Sequence, residues 1–162
     1  MNTTKVLAKS AQSVQDVLAR KGLTCKVVEL SESTRTAQDA ASAIGCQVEQ
    51  IVKSLIFKTR MSQQPVLILA SGPNRVNEQV IESLVGEKIL KADADFTRNI
   101  TGFAIGGIPP IGHKEPIQLI FIDEDLLKFE EIWAAAGTPN AVFNLKAKDL
   151  VEMTKGKVIS IN

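Results

Sequence analysis

Aromatic side chains are scarce in this sequence, since Phe, Trp and Tyr make up 4% of its 162 residues and tyrosine is absent. Proteins that bind single-stranded nucleic acid along its length stack successive bases on aromatic rings. The formal net charge is +1, whereas a protein that wraps long nucleic acid needs many cations to neutralise phosphates. The composition therefore argues against both kinds of binder, but it is compatible with binding to one short end of a nucleic acid.

Metal-binding and nucleophilic side chains are also few. The two cysteines, Cys25 and Cys46, are too few for a disulfide framework and lack the spacing or histidine partners that zinc requires. There is one histidine, His113, and no Gly-x-Ser-x-Gly motif, which argues against a serine nucleophile. We therefore expect no metal and no cofactor.

Long apolar runs are missing too. Residues 1–12 contain no apolar block of signal-peptide length, and no later run approaches the length that spans a membrane. We expect a cytoplasmic protein that does not associate with a membrane. Its length, with 44% hydrophobic and 23% charged residues, is typical of one globular domain over 1–162.

Hydrophobic periodicity and turn residues predict helices mixed with strands. Helices are predicted at 10–22, 36–45, 77–85, 92–100 and 130–136, with a helical turn at 148–153; strands are predicted at 25–30, 51–59, 65–70, 117–122, 141–145 and 158–161. Thr36 is the expected N-cap of the second helix, and its small apolar residues predict close packing on the main sheet. Because hairpins join several strands, the pattern favours a mixed α+β fold over a doubly wound one. We expect either a mixed, mostly antiparallel sheet or a partial barrel, flanked by helices.

The most unusual segment is 101–113, which holds four glycines and two prolines and no charged residue. Glycine permits close backbone approach, while Pro109 and Pro110 fix φ and restrict Ile108 before them. This predicts a rigid loop whose exposed amides can bind a carbonyl oxygen or an oxyanion. A phosphate cradle is disfavoured because the required spacing is absent. An irregular connection packed on the core is the structural alternative.

Lys53 is the second candidate, because it lies within an apolar strand and shares a face with Leu55 and Phe57. If that face points inward, the ammonium needs a partner or a cleft. The alternative is a lysine that reaches solvent along the strand surface.

Two further side chains are weaker candidates. His113 follows the loop and could be a general base or a ligand contact, with a structural role as the alternative. Trp133 falls in the helix predicted at 130–136, where helix packing is the expected role.

Several segments together resemble the YbaK/EbsC family, the free-standing relatives of the editing domain inserted in bacterial prolyl-tRNA synthetases. The resemblance spans nearly the whole chain, and it rests on the order and spacing of its parts. These are Thr36-Ala37-Gln38 with Ala40-Ala41 and Gly45, Ile51-Val52-Lys53-Ser54-Leu55, Asn74-Arg75-Val76-Asn77, and the run from Gly102 to His113.

The resemblance implies a metal-free deacylase that cleaves wrongly attached amino acids from the terminal adenosine of tRNA. Lys53 then corresponds to the family's active-site lysine, and Gly106 to Pro110 to its Gly-x-x-x-Pro substrate loop. We expect catalytic roles for Lys53, Gly106 and Gly107, and substrate contacts from Ile108, Pro109, Pro110 and His113. The implied partners are the acceptor end of tRNA, with proline tRNA carrying a small amino acid as the expected substrate, and prolyl-tRNA synthetase.

Two points stay open in the sequence. Some family branches carry a carboxylate after the late glycine, but residues 137–144 contain no acid here, so this segment supplies no carboxylate to contact the substrate amine. A non-catalytic module that recognises an aminoacyl end or a nucleotide is the alternative function. A pure protein-interaction domain would leave the glycine-rich loop unexplained.

Overall fold

A computed structural model describes residues 6–162, in which the chain forms five α-helices and eight β-strands. None of these helices combines the length and the apolar character needed to cross a membrane. The helices are α1 Lys9–Arg20, α2 Ala37–Ile44, α3 Glu78–Val85, α4 Ala94–Thr101 and α5 Ala147–Thr154. The strands are β1 Val27–Glu29, β2 Ile51–Thr59, β3 Pro65–Ser71, β4 Ile89–Lys91, β5 Leu119–Asp123, β6 Glu131–Ala135, β7 Ala141–Lys146 and β8 Lys157–Ile159.

The strands form one mixed sheet in the order β1-β7-β6-β2-β3-β5-β8, with β4 also paired to β2. Four pairs are antiparallel (β1 with β7, β2 with β3, β2 with β4, β6 with β7) and three are parallel (β2 with β6, β3 with β5, β5 with β8). The predicted mixed α+β fold and the hairpin between β2 and β3 are confirmed.

One edge of β2 changes partner along its length. The strand pairs with β6 only through Ile51 and Val52, and with β4 only from Phe57 to Thr59. Its other edge pairs with β3 almost throughout. The stretch 53–56 therefore has no strand partner on the first edge, and the sheet divides there.

The core lies on both faces of β3, whose residues from Val66 to Ala70 are fully buried. Leu67 and Leu69 pack in one cluster with Val14 and Leu18 of α1. Alternate residues of the same strand face a second cluster that includes Ile81 of α3. This double cover explains why the strand is apolar at every position.

Helix α2 begins and ends as its sequence predicts. The Thr36 hydroxyl accepts a hydrogen bond from the Asp39 N–H at 3.0 Å, and Gly45 ends the helix at a φ of +86°. Ala40 and Ala41 pack against Ile51 of β2. The small side chains thus bring this helix close to the sheet, as predicted.

The helix predicted at 130–136 is wrong, because this segment forms strand β6. Its alanines favour a helix locally, but Ile132, Ala134 and Ala136 are buried while the residues between them are not. That period of two is the strand pattern, and pairing with β2 and β7 decides the conformation. Strand β4 was not predicted from the sequence. Helix α4, predicted at 92–100, begins at Ala94 after an Asp93 N-cap.

Candidate active site

A pocket of about 530 Å³ lies where β2 separates from β6. Its walls come from the segment that leads into α2 (34–38), the start of β2 (51–55), three residues of the glycine-proline loop, and β6 (133–135). The three loop residues are Ile105, Gly106 and Ile108. The two features singled out in the sequence, Lys53 and the loop, therefore meet at one cavity.

Lys53 is half-buried at this pocket. Its Nζ donates one hydrogen bond, 2.6 Å long, to the main-chain oxygen of Asn74. Burial lowers the pKa of Lys53; the nearby Asp123 carboxylate opposes this effect, while the Arg75 cation adds to it. The other two N–H groups of the ammonium donate to no residue in 6–162, so they can meet a ligand.

Asn74 is itself held in place by two carboxylates. Its Nδ2 donates to Oδ2 of Asp123 at 2.8 Å and to Oδ2 of Asp125 at 2.7 Å. Asp123, 1% exposed, also accepts from the Ser71 N–H at 2.9 Å. The oxygen that receives the Lys53 hydrogen bond is therefore fixed in position.

Within the loop, Gly106 and Ile108 face the pocket, whereas Gly107 faces away from it. Gly106 has a φ of +102°, which favours glycine. The Gly107 N–H donates to the Ala104 oxygen at 3.2 Å, and the Gly107 oxygen accepts from the Gly137 N–H at 2.8 Å. The N–H groups of Gly106 and Ile108 donate to none of the described residues. At the pocket, Gly106 and Ile108 therefore keep N–H groups that no described residue accepts, whereas the Gly107 N–H is already bonded.

The position of Gly107 leads to a stability prediction. A Cβ there would lie 2.8 Å from the carbonyl carbon of Thr138 and 3.0 Å from its N and Cα, all main-chain atoms that cannot rotate away. We expect Gly107→Ala to lower the free energy of unfolding by about 1–3 kcal/mol, the usual cost of overpacking. Urea unfolding of the variant and the wild type measures this difference. Equal midpoints and slopes would contradict the close packing described here.

The remaining predicted contacts belong to the same loop but do not line the pocket. Pro109 and Pro110 are buried, and neither they nor His113 line the pocket. The Nε2 of His113 lies 2.7 Å from the Pro109 oxygen; since a carbonyl only accepts, this ring nitrogen carries the hydrogen. Burial lowers the pKa of His113, and the Pro109 hydrogen bond partly opposes the shift. His113 therefore braces the loop from outside the pocket.

A pH-dependent stability follows from the lowered pKa of His113. The folded protein disfavours the imidazolium, so the unfolded chain takes up the proton more readily once the pH falls below the ordinary value of 6.5. Stability is then lost as the pH falls from 6.5 toward the folded-state value. We expect His113→Gln, whose amide can still donate to Pro109, to lose less unfolding free energy than wild type between about pH 8 and about pH 5. Equal losses in urea unfolding would contradict the burial of this ring.

Two pocket residues were missed or misplaced in the sequence. The side chain of Arg35 covers Gly106, since its Cγ lies 3.3 Å from where a Cβ on that glycine would be. Trp133, expected to pack within a helix, lies half-buried on β6 and lines the pocket. The Thr36-Ala37 and Asn74-Arg75 motifs did mark the neighbouring segments, but they gave no role to any side chain there.

Between residues 6 and 162, no three His, Cys, Asp or Glu side chains come together as a metal site would require. Cys25 and Cys46 are free thiols, and burial raises the pKa of both. A raised pKa lowers the fraction of reactive thiolate. Neither cysteine lines the pocket, whose ammonium comes from Lys53.

Comparison with known proteins decides the family. The model of the aminoacyl-tRNA editing domain matches residues 31–153, about three quarters of the chain. The chain belongs to this family. The match confirms the predicted family and the predicted activity, hydrolysis of mischarged aminoacyl-tRNA by an editing domain. All four pocket walls described above lie inside the matched residues.

Similar proteins support the same assignment for this editing domain. A crystal structure described as a candidate trans-editing enzyme for prolyl-tRNA synthetase is 44% identical, with a TM-score of 0.91, covering 97% of this chain and 99% of that one. The Bacillus subtilis protein YwhH is 30% identical over 82% of this chain and 83% of its own length. The proline–tRNA ligase of Limosilactobacillus fermentum is 33% identical over 52% of this chain, which covers 16% of the ligase.

Proposed function

We propose that this editing domain removes a small, wrongly attached amino acid from proline tRNA by hydrolysing the ester at the terminal adenosine. The observation that carries the proposal is that one pocket is lined by Lys53 and by Gly106 and Ile108, whose N–H groups donate to none of the described residues. Both kinds of donor suit the oxygen of an ester carbonyl as it gains negative charge. We propose further that residues 1–162 act as one domain and work in the cytoplasm.

In this mechanism the loop holds the aminoacyl carbonyl, and Lys53 contacts that oxygen or a phosphate of the terminal nucleotide. A water molecule attacks the carbonyl carbon, and the developing oxyanion is stabilised by the N–H groups of Gly106 and Ile108. The bond from the carbonyl carbon to the ribose oxygen then breaks, and that oxygen takes the proton that the attacking water gives up, so that the products are the free amino acid and the tRNA with its ribose hydroxyl restored. No protein base faces the pocket at the loop, so the neighbouring ribose hydroxyl orients the water and positioning supplies much of the rate. Gly107 and His113 hold the loop in shape through hydrogen bonds outside the pocket.

The pocket also suits the size of this substrate. Its volume of about 530 Å³ falls within the range of sites that enclose small ligands, about 300–1,000 Å³. Apolar side chains such as Val52, Ile108 and Trp133 form much of its wall, and they favour a small apolar group over a charged one. We place the amino acid against these residues and the adenosine toward the exposed Arg35.

The choice of proline tRNA rests on what the relatives are described to do. One similar structure is described as a candidate trans-editing enzyme for prolyl-tRNA synthetase, and several similar segments lie inside proline–tRNA ligases. Prolyl-tRNA synthetase, which makes the mischarged product, is therefore the second proposed partner.

Product analysis tests the reaction. Proline tRNA charged with alanine is incubated with the protein, with and without EDTA. The products to be measured are free alanine and tRNA that can be charged again with proline. We expect both products at equal rates in the two samples, because no metal takes part in the proposed steps. Tight binding of a non-hydrolysable aminoacyl-adenosine analogue, with no product from any mischarged ester, would instead indicate the non-catalytic module. Turnover that EDTA stops and zinc restores would exclude the metal-free mechanism.

A further inference from the structure

Asp123 is a buried carboxylate that the proposed reaction does not itself use. It lies at the end of β5 with 1% of its surface exposed. No ion pair joins it to any Lys, Arg or His of residues 6–162. Three neutral N–H donors surround it instead: Oδ2 accepts from Ser71 and Asn74, and Oδ1 accepts from the Asp125 N–H at 2.9 Å. A buried charge without a cation is costly, which calls for a reason why a carboxylate is kept here.

The path from Asp123 to the pocket is short and continuous. The Asn74 side chain donates to Asp123 at 2.8 Å, and the Asn74 main-chain oxygen accepts from Lys53 at 2.6 Å. One residue therefore connects the buried carboxylate to the pocket ammonium. The turn at Asn74 is also tied to β3, because its N–H donates to the Ser71 oxygen at 2.9 Å. Both ends of the path are thus anchored on strands, and the oxygen that Lys53 meets is held in place.

We propose that Asp123 is a positioning residue: its hydrogen bond to Asn74 fixes the oxygen that holds the Lys53 ammonium at the pocket, and its negative charge attracts that ammonium directly. The proposal rests on the function proposed above, since Lys53 is the group that meets the substrate. The charges around Lys53 fit this role. Arg75 lies near Lys53, and its positive charge disfavours a second cation there. Asp123 is the carboxylate whose charge favours the ammonium.

Asp125 provides a matched control. It accepts from the same Asn74 amide, at 2.7 Å, but is also paired with Lys128 at 2.8 Å. Its charge is thus neutralised locally by an exposed lysine. If the hydrogen bond to Asn74 alone mattered, Asp125→Asn and Asp123→Asn would have similar effects; if the charge of Asp123 matters, they would differ.

The experiment measures the titration of Lys53 directly. An amine-acylating reagent is applied to the folded protein across a pH series, and mass spectrometry quantifies the labelling of Lys53 against that of an exposed lysine. We expect Asp123→Asn to shift the Lys53 titration about one pH unit downward and Asp125→Asn to leave it nearly in place. The alkaline limb of the single-turnover deacylation profile should move by the same amount in Asp123→Asn.

An unchanged Lys53 titration in folded Asp123→Asn would overturn the proposal. If that variant does not fold, Asn74→Ala replaces it, because it keeps the main-chain acceptor and the Asp123 charge but removes the side-chain hydrogen bonds that hold the turn. Its Lys53 titration should fall by a smaller amount, and no fall would again overturn the proposal. The labelling needs no substrate, so absence of deacylation by the wild type would count against the proposed function alone.

Discussion

Replacing Lys53 with alanine should reduce single-turnover deacylation by about 10²–10³-fold, the usual loss when one preorganised donor is removed from a developing oxyanion. The domain should stay folded. Lys53 is half-buried at a pocket, and burial lowers its pKa, so its charged form does not stabilise the core. Deacylation rates and thermal melting of the variant measure both effects.

Lys58→Ala is the matched control for this prediction. Lys58 lies on the same strand and is also half-buried, but its Nζ sits over the Phe96 ring, 5.2 Å from the centroid, and it does not line the pocket. We expect the control to keep its rate and to lose only a little stability. Full activity in folded Lys53→Ala would remove this residue from the mechanism, and unfolding of Lys53→Ala alone would assign it a structural role.

Replacing Gly106 with alanine should reduce the deacylation rate about 10²-fold, the cost of misplacing an ester relative to its donors. The added methyl would lie 3.3 Å from Cγ of Arg35 on the pocket side of the loop, and the φ of +102° disfavours any side chain. The loop then shifts, and the Gly106 N–H leaves the position that meets the carbonyl. The free energy of unfolding should fall only by the roughly 1–2 kcal/mol that a side chain at a positive φ costs.

Gly86→Ala separates the two effects of that substitution. Gly86 has a φ of +92° at the end of α3, and a Cβ there would meet no atom within 4 Å. Its stability loss reports backbone strain alone, and its deacylation rate should equal that of wild type. If Gly106→Ala melts like Gly86→Ala and also turns over at the wild-type rate, the loop does not bind the carbonyl.

The sequence was sufficient to predict features that local physics determines. An apolar strand with one lysine left two alternatives, an inward ammonium or one that reaches solvent, and in the structure Lys53 lines the pocket. Four glycines and two prolines without charge predicted a shaped loop beside it. The N-cap at Thr36 and the stop at Gly45 depend on neighbouring residues only, and both are confirmed.

Features that depend on distant contacts could not be predicted in this way. Asn74 and Asp123 are 49 residues apart, and nothing in the sequence pattern indicates their hydrogen bond. The alanines of β6 favour a helix until pairing with β2 and β7 decides otherwise. For the same reason the donor expected at Gly107 is used by Ala104: which amide faces the pocket depends on how the loop packs against 137–138.

The central claim is that this pocket removes small wrong amino acids and spares the correct one. The most direct test measures single-turnover hydrolysis with wild-type protein in excess over the substrate. The substrates are proline tRNA carrying alanine, cysteine, serine, threonine, 2-aminobutyrate or proline. We expect at least one small non-cognate ester to be cleaved 10²-fold or more above its uncatalysed rate, with the prolyl ester close to its uncatalysed rate. Uncatalysed rates for every ester, from protein that is folded, would contradict the claim.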